Sequence, residues 1–138
     1  ALDPNQDLIV SNTDNYVKIM FRDDMMFETN SENPTYAAGT KIAKITTVLQ
    51  KYPNTLVQVV GHTDSRGTHA YNLALSEKRA TNVGNIINST GVQNQIFSKG
   101  CSFDKPIALN NSDANMGLNR RVEVYLYPNQ QSVIDVCR

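Results

Sequence analysis

The sequence predicts an α/β fold in which helices pack on a mixed sheet, in the order β-α-β-α-β-β. Short segments of alternating or continuous apolar residues predict the strands, and longer segments with helical apolar spacing separate them. The length of 138 residues fits one compact domain, and an apolar fraction of 40% is enough for a core. We expect this domain at residues 15–128, after a linker or arm at 1–14 and before a tail at 129–138.

The first half of the domain contains a strand, an amphipathic helix and a second strand. Apolar and polar residues alternate over 16–21, which predicts a strand. Pro34 suits the first turn of a helix, and apolar residues at helical spacing extend that helix over 35–51. The β-branched run at 56–60 is nearly all apolar and favours a central strand covered on both faces.

The second half adds a helix and two strands. A loop at 61–67 leads into a helix at 69–89, and Gly91 is placed to cap that helix. A short strand at 96–100 and a polar, Asn-rich loop at 110–119 follow. The last strand spans 121–126 and ends before Pro128. The core stripe of the 69–89 helix comprises Leu75, Ala80, Val83, Ile86 and Ile87.

The charge balance excludes several classes of protein. Thirteen basic and thirteen acidic residues give a formal net charge of zero, which argues against a nucleic-acid partner and against a polybasic membrane-surface anchor. No run of 18 apolar residues predicts a transmembrane helix. The chain opens at Ala1 without Met, so we expect that an upstream segment has been removed.

Two cysteines, Cys101 and Cys137, lie 36 positions apart, a spacing that matches no zinc motif. They are either two buried or free thiols or one disulfide that joins the tail to the domain. A disulfide would indicate an oxidising compartment.

The densest polar cluster follows the 56–60 strand. Asp64 lies just past the carboxyl end of that strand, where open α/β sheets commonly bind ligands. Asn72, Ser76 and Arg79 are spaced i, i+4 and i+7, so they share one face of the next helix. A pocket with a carboxylate and a guanidinium suits a zwitterion. Alternatively, Asp64 and Arg79 simply pair with each other.

Other chemistries have weaker support. His62, Asp64 and Ser65 are triad residue types, but they are nearly contiguous on a loop and no Gly-x-Ser-x-Gly elbow is present. His62 and His69 lack a third ligand in register, so we predict no metal and no cofactor. On composition alone, Arg120 and Arg121 indicate a solvated strand edge with local ion pairs.

Five separated motifs resemble the OmpA-like domain, a family that includes the C-terminal domain of OmpA, the peptidoglycan-associated lipoprotein and the periplasmic part of the flagellar stator protein MotB. The resemblance covers residues 16–126, with departures at 100–103 and 116–118. The motifs are Gly61-His62-Thr63-Asp64-x-x-Gly67, Asn72-x-x-Leu75-Ser76-x-x-Arg79-Ala80, Gly91-Val92, Pro106-Ile107 and Asn119-Arg120-Arg121-Val122-Glu123.

This resemblance implies a β-α-β-α-β-β fold and non-covalent binding of peptidoglycan through the meso-diaminopimelate of its stem peptide. It assigns the amine of diaminopimelate to Asp64 and the carboxylate to Arg79. Residues implied to line or shape the pocket are Asn72, Leu75, Phe27, Thr29 and Asn30, with Thr63, Ser76 and Arg120 as further neighbours.

The resemblance also implies a non-enzymatic protein of the Gram-negative periplasm and cell envelope, associated with the outer membrane. Its partners would be peptidoglycan and an upstream membrane anchor, which is a lipid, a barrel or a transmembrane helix. The alternatives are a protein–protein interaction module of an envelope secretion or signalling assembly and, less favoured, a hydrolase such as an amidase.

Overall fold

The computed structural model of the chain describes residues 8–12, 16–22, 36–128 and 137. Within these ranges five strands form one sheet and three helices accompany it. The strands are β1 (Leu8–Asn12), β2 (Val17–Arg22), β3 (Leu56–His62), β4 (Ile96–Gly100) and β5 (Arg121–Tyr127). The helices are α1 (Tyr36–Lys51), α2 (His69–Ser89) and α3 (Asp113–Asn119).

The sheet is mixed, which confirms the predicted fold class. Its strand order is β1-β2-β5-β3-β4; β3 and β4 are parallel and the other neighbours are antiparallel. β3 has a neighbour on each side and is buried from Val57 to His62, as the apolar run predicts for a central strand. α2 has the predicted bounds, with Thr68 as its N-cap and Gly91, at φ +86°, just after its C-cap.

Two elements differ from the prediction. β1 lies in the segment predicted to be a linker or arm. The sequence does not predict this strand because Leu8-Ile9-Val10 shows no alternation of apolar and polar residues, and the backbone pairing with β2 does not require such alternation. α3 occupies part of the predicted Asn-rich loop. This helix has no apolar periodicity; instead, the Ser112 side chain accepts a hydrogen bond from the Asn115 amide, and Asp113 lies in the first turn.

Helices α1 and α2 pack on the same face of the sheet and enclose the main core. The apolar side chains of this core alternate along the strands and repeat at helical spacing on both helices. Val48, predicted to face the core, is instead about half exposed. The buried members are Ile19, Phe21, Ile42, Ile45, Leu49, Val57, Val59, Ala80, Val83, Ile87, Val92, Val122, Val124 and Leu126.

Two paired glycines allow α2 to approach the sheet closely. Gly61 of β3 pairs with Gly100 of β4, and both lie under the first half of α2. A Cβ atom at Gly61 would collide with the backbone carbonyl of Ser76, and one at Gly100 would collide with the backbone of Glu77. The helix backbone therefore lies almost directly on the strand backbones.

None of the helices in the described ranges combines the length and apolarity needed to cross a bilayer.

The opposite face of the sheet contains aromatic residues and the disulfide. Tyr125 and Tyr127 are buried there with Val60, and the Tyr127 hydroxyl is 2.8 Å from Oε1 of Gln58. Cys101 and Cys137 form a disulfide, so the second of the two alternatives for the cysteines holds. The bond ties residue 137 covalently to the end of β4.

A buried ionic cluster surrounds Glu123 on this second face. Its carboxylate contacts Nε2 of His62 at 2.8 Å, Nζ of Lys18 at 2.9 Å and Nε of Arg121 at 3.1 Å, and accepts a hydrogen bond from the Tyr125 hydroxyl at 3.1 Å. Burial alone would raise the pKa of Glu123, but the His62 hydrogen bond and the charge of Arg121 hold it well below its usual value. Glu123 is therefore ionised at neutral pH.

Histidine 62 is the group of this cluster most sensitive to mild acid. Its side chain is 2% exposed, and Nδ1 has no hydrogen-bond partner in the described part of the chain. Burial lowers the pKa of His62; the hydrogen bond that His62 donates to Glu123 opposes this shift only in part, and the charges of Arg121 and Lys18 add to it. The folded state thus favours the neutral imidazole, which donates its Nε2 proton to Glu123.

We expect Gly61→Ala to lower the free energy of unfolding by about 1–3 kcal/mol, the usual range for overpacked sites, because the new methyl group meets backbone atoms that cannot rotate away. Urea denaturation measures the effect. Gly39→Ala is the matched control: no atom lies within 4 Å of its added Cβ, so stability should stay equal or rise by up to about 1 kcal/mol. Equal stability of Gly61→Ala and wild type would contradict the close packing of α2.

We expect the free energy of unfolding to fall as the pH drops from 7.5 to 5.5. Because the pKa of His62 is lower in the folded state, the unfolded state binds the proton first, and the loss begins near the ordinary His pKa of about 6.5, at up to about 1.4 kcal/mol per pH unit. His62→Gln keeps an N–H donor for Glu123 without titrating, so its stability should vary less over this range. An unchanged slope in His62→Gln would contradict the assignment.

Candidate functional site

The candidate site begins where β3 ends, at the carboxyl edge of the sheet. Thr63 and Asp64 follow His62 directly, and the Thr63 amide donates a hydrogen bond to the Ser102 carbonyl at 2.9 Å. This bond extends the β3–β4 pairing by one step and fixes the start of the loop. The Thr63 hydroxyl donates to the Asp64 carbonyl at 3.0 Å, and both residues are buried, with Asp64 only 5% exposed.

The Asp64 carboxylate is held by two arginines. Its Oδ1 accepts the backbone amide of Arg66 at 2.9 Å, which closes a tight turn. Its Oδ2 accepts Nη2 and Nε of Arg66 at 2.8 and 3.2 Å, and Nη1 of Arg120 at 2.6 Å. Among the residues that the structure describes, these two side chains are the cations in contact with Asp64.

These contacts keep Asp64 ionised despite its burial. Burial raises the pKa of Asp64, but the hydrogen bonds from the Arg66 side chain and backbone and from Arg120 outweigh it, and the net pKa lies below the usual Asp value. The carboxylate therefore presents a full negative charge at neutral pH in a partly desolvated position.

The predicted face of α2 is confirmed. Asn72, Ser76 and Arg79 are all buried, and they lie on the side of the helix that also carries its core residues. The amide Nδ2 of Asn72 donates to the Arg66 carbonyl at 2.7 Å and to the Thr68 carbonyl at 3.0 Å. Asn72 thereby ties the helix to the Asp64 loop.

Serine 76 connects the same helix to the strand that follows β3 in the sheet. Its Oγ donates to the Leu73 carbonyl at 3.0 Å and accepts the amide of Ser102 at 3.1 Å. Ser102, at φ +54°, is also the residue whose carbonyl accepts the Thr63 amide. The end of β3, the end of β4 and the first half of α2 are thus joined by hydrogen bonds around one point.

Arginine 79 places a positive charge, opposite in sign to that of Asp64, on the buried face of α2. Its residue is 3% exposed, and it takes part in polar or electrostatic interactions of its own. A guanidinium cannot be deprotonated in a protein and is costly to bury without partners. Leu75, predicted to belong to the core stripe of this helix, is instead partly exposed and lies outside the core cluster.

A loop anchored by Asn119 supports the Asp64 turn from the other side. The buried Asn119 side chain accepts the amides of Ile107 and Ala108 at 2.7 and 2.9 Å and donates to the Asn110 Oδ1 at 2.9 Å. Asn110 in turn accepts the Ser65 amide at 3.3 Å. Residues 107–110 are therefore held against the loop that carries Asp64.

The two arginines after Asn119 have different roles. The composition predicts a solvated edge here, which is wrong for Arg121: it is buried, and it donates to Glu123, to the Asn119 carbonyl and to the Lys105 carbonyl at 3.1, 3.1 and 2.8 Å. Arg120, the C-cap of α3 just before β5, has an extended backbone, so its side chain points away from that of Arg121 and reaches Asp64.

Arg66 is a contact of Asp64 that the sequence does not predict. A signal was present, since an Asp at the start of a tight turn commonly binds the backbone two residues later. That rule places the Arg66 amide on Asp64 and brings its side chain along. Phe27, Thr29 and Asn30, also predicted to line the site, lie outside the described residues.

The two histidines contact different carboxylates at different places in the fold. His62 is bound to Glu123 on the second face of the sheet, whereas His69 lies 3.0 Å from Oδ1 of Asp104 and meets the Phe103 ring edge-on. No group of three His, Cys, Asp or Glu side chains able to hold a metal occurs in the described ranges. Within the described ranges, the groups around Asp64 are therefore hydrogen-bond donors and charged side chains rather than a metal-binding set.

Three known proteins are similar to this chain in sequence or in fold. The "Probable lipoprotein YiaD" of Escherichia coli (strain K12) is 36% identical over 103 residues, which are 74% of this chain and 47% of that protein. The "cell wall anchor of the T6SS from Pseudomonas aeruginosa" superposes with a TM-score of 0.80 and 28% identity, covering 88% of each chain. The "peptidoglycan-associated lipoprotein from Burkholderia pseudomallei" gives a TM-score of 0.69 and 29% identity, covering 74% of this chain and 87% of that one.

The chain spans only part of the curated relatives that it matches, for example 47% of YiaD, 23% of one outer membrane porin F and 54% of one peptidoglycan-associated lipoprotein. The shared region contains the site: the profile of the OmpA family matches residues 26–120, from before α1 to the arginine that contacts Asp64. Since this match covers well over half of the sequence and the fold of these relatives is the fold described above, the chain belongs to the OmpA family.

Proposed function

We propose that the chain binds peptidoglycan without covalent chemistry, by recognising the zwitterionic end of meso-diaminopimelate in the stem peptide. The observation that carries the proposal is that the Asp64 carboxylate, just past the carboxyl end of β3, and the oppositely charged Arg79 guanidinium, on the buried face of α2, are both buried. Asp64 is assigned the ammonium group of diaminopimelate, and Arg79 is assigned its carboxylate.

The chemistry of the ligand explains why both charges are needed. The side-chain end of diaminopimelate carries an ammonium and a carboxylate on one carbon, so a single group presents both charges to the site. A guanidinium binds a carboxylate through two parallel hydrogen bonds, and an ionised carboxylate accepts from an ammonium. A stem peptide that contains lysine in place of diaminopimelate lacks that carboxylate. Arg79 would then lose the ligand group assigned to it, and the peptide should bind less well.

The rigid frame around Asp64 supports recognition rather than catalysis. Asn72 and Asn119 fix the loops on the two sides of the carboxylate, and neither α2 nor the Asp64 loop brings a nucleophile into contact with a free base. Family membership supports the same function, because a peptidoglycan-associated lipoprotein and a cell wall anchor are among the relatives. We assign Thr63, Ser76 and Leu75 to the support of this pocket, and Phe27, Thr29 and Asn30 to its lining.

We further propose that the domain acts in the periplasm and links the outer membrane or an envelope complex to the cell wall. The link would be made by an upstream lipid, barrel or transmembrane anchor. The Cys101–Cys137 disulfide supports an oxidising compartment, and lipoproteins and porins are among the relatives. Cell-wall anchoring requires affinity for the wall but no catalytic turnover, and a site of fixed charges can provide that affinity.

We expect the wild type to co-sediment with purified sacculi of the diaminopimelate type, and Asp64→Asn and Arg79→Gln to remain largely in the supernatant. Each variant removes a charge-assisted contact, which typically lowers affinity by about 10- to 100-fold. Lys51→Gln is the matched control: it removes one charge at the end of α1, near the start of β3 and so at the opposite edge of the sheet, and it should pellet like the wild type.

Circular dichroism and thermal unfolding verify that the variants are folded. If Arg79→Gln is unstable, Arg79→Lys retains the charge but loses the two-pronged geometry and should still bind more weakly. Equal pelleting of all variants would contradict the assigned pocket. Wild-type protein that stays in the supernatant would favour a protein–protein interaction module.

We also expect no soluble muropeptides after prolonged incubation of the wild type with the same sacculi, because the proposed site holds and does not cleave. Chromatography of the supernatant, with a known muramidase as the positive control, makes the measurement. Release of fragments that depends on Asp64 would replace binding with hydrolysis as the function.

A further inference from the structure

The carboxylate assigned to the ligand ammonium is already occupied by cations of the chain itself. Three N–H groups converge on Oδ2 of Asp64, two from Arg66 and one from Arg120, while Oδ1 accepts only the Arg66 amide. An ionised carboxylate offers about four acceptor positions in all. An incoming ammonium, which has three N–H donors, therefore competes with these guanidinium groups for Oδ2.

The two arginines differ in how firmly they are held. The side chain of Arg120 is 30% exposed. Arg120 directly follows Asn119, the last residue of α3, and the hydrogen bonds of Asn119 fix the adjoining loop. The side chain of Arg66 is 60% exposed and comes from the turn itself. An ion pair with so exposed a cation strengthens a site by a factor of only a few, since water readily replaces the partner.

A second carboxylate also acts on Arg66. The hydrogen bond to Asp64 raises the pKa of Arg66 most, and the charge of Asp113, in the first turn of α3, raises it further. Asp113 is exposed and offers a negative charge toward which the guanidinium can turn when it leaves Asp64. Arg66 thus lies in the field of two carboxylates, of which it contacts Asp64.

We propose that Arg66 occupies the ammonium position of the site in the ligand-free protein and is displaced by the ligand, whereas Arg120 stays and orients the carboxylate. This inference rests on the proposed function, because it takes the ligand cation to be the ammonium of diaminopimelate. Arg66 is then an internal competitor that lowers the affinity for the ligand, and Arg120 is a positioning residue.

The exchange keeps Asp64 paired at all times. Without Arg66, Arg120 would be the remaining cation on this partly buried carboxylate among the described residues, and the pKa of Asp64 would rise toward the ordinary Asp value. With Arg66, the empty site is neutralised, and binding replaces one ion pair with another. The wild type therefore gains less from the ammonium than the pocket could provide, and its binding is less sensitive to salt than that of a protein in which the pair forms anew.

The test uses the full chain with its disulfide and meso-diaminopimelic acid as the probe, with binding measured by calorimetry at two salt concentrations. We expect Arg66→Gln to bind about two- to fivefold more tightly than the wild type and to lose more affinity on addition of salt. Arg66→Lys restores a competing cation and should return the affinity toward the wild-type value. Lys51→Gln, which removes a charge at the far edge, should match the wild type.

The outcomes separate the exchange from the proposed function. If Asp64→Asn binds as well as the wild type, or if neither the wild type nor Arg66→Gln binds, the proposed function fails and the exchange fails with it. If Asp64→Asn abolishes binding while Arg66→Gln binds equally or more weakly, the site stands and the exchange is overturned. Arg66 would in that case order the loop or contact the ligand.

Discussion

Near Gly61 and Gly100, helix α2 lies against β3 and β4 with almost no side chain between the backbones, and the positions of Asn72 and Ser76 relative to the Asp64 loop follow from this contact. Gly61 and Gly100 are paired across the two strands, and a side chain on either would meet the helix backbone. The short distance lets Ser76 reach the Ser102 amide and lets Asn72 reach the Arg66 carbonyl. Side chains on this face of α2 are thereby brought beside the loop that contains Asp64.

The sheet separates two ionic systems that share a strand but differ in chemistry. Glu123 is enclosed by His62, Arg121 and Tyr125, with only Lys18 reaching toward solvent, and it acts as a structural anion on the second face. Asp64 is held by arginines that are 30% and 60% exposed, so its partners can be exchanged. Arg120 and Arg121, adjacent in sequence, serve one system each because a strand directs successive side chains to opposite sides. Exposure of the partner cations, rather than burial of the carboxylate, distinguishes Asp64 from Glu123.

Much of the fold follows from local patterns. Thr68 and Gly91 bound α2, the run at 56–60 is the central strand, and the alternation at 121–126 is the strand beside it. β1 and α3 are not evident in the same patterns. β1 is held by backbone pairing to β2, and α3 by a cap of Ser112, so neither requires the apolar periodicity by which strands and helices are recognised. Arg121 looks like a surface residue because its burial depends on Glu123, Lys105 and Asn119, which only the folded chain brings around it.

By itself the sequence determined that this is a neutral α/β domain with an acidic loop after its central strand and a polar helix face containing Asn72, Ser76 and Arg79. Those features are local, since they depend on spacing along one or two elements. Only the tertiary structure decided which cations neutralise Asp64, that the two cysteines are joined, and that His62 belongs to a buried cluster away from the site. Each of these depends on residues far apart in the chain or on the direction of a side chain. Contacts of this kind stabilise the fold without producing a periodic pattern in the sequence, so the sequence alone does not reveal them.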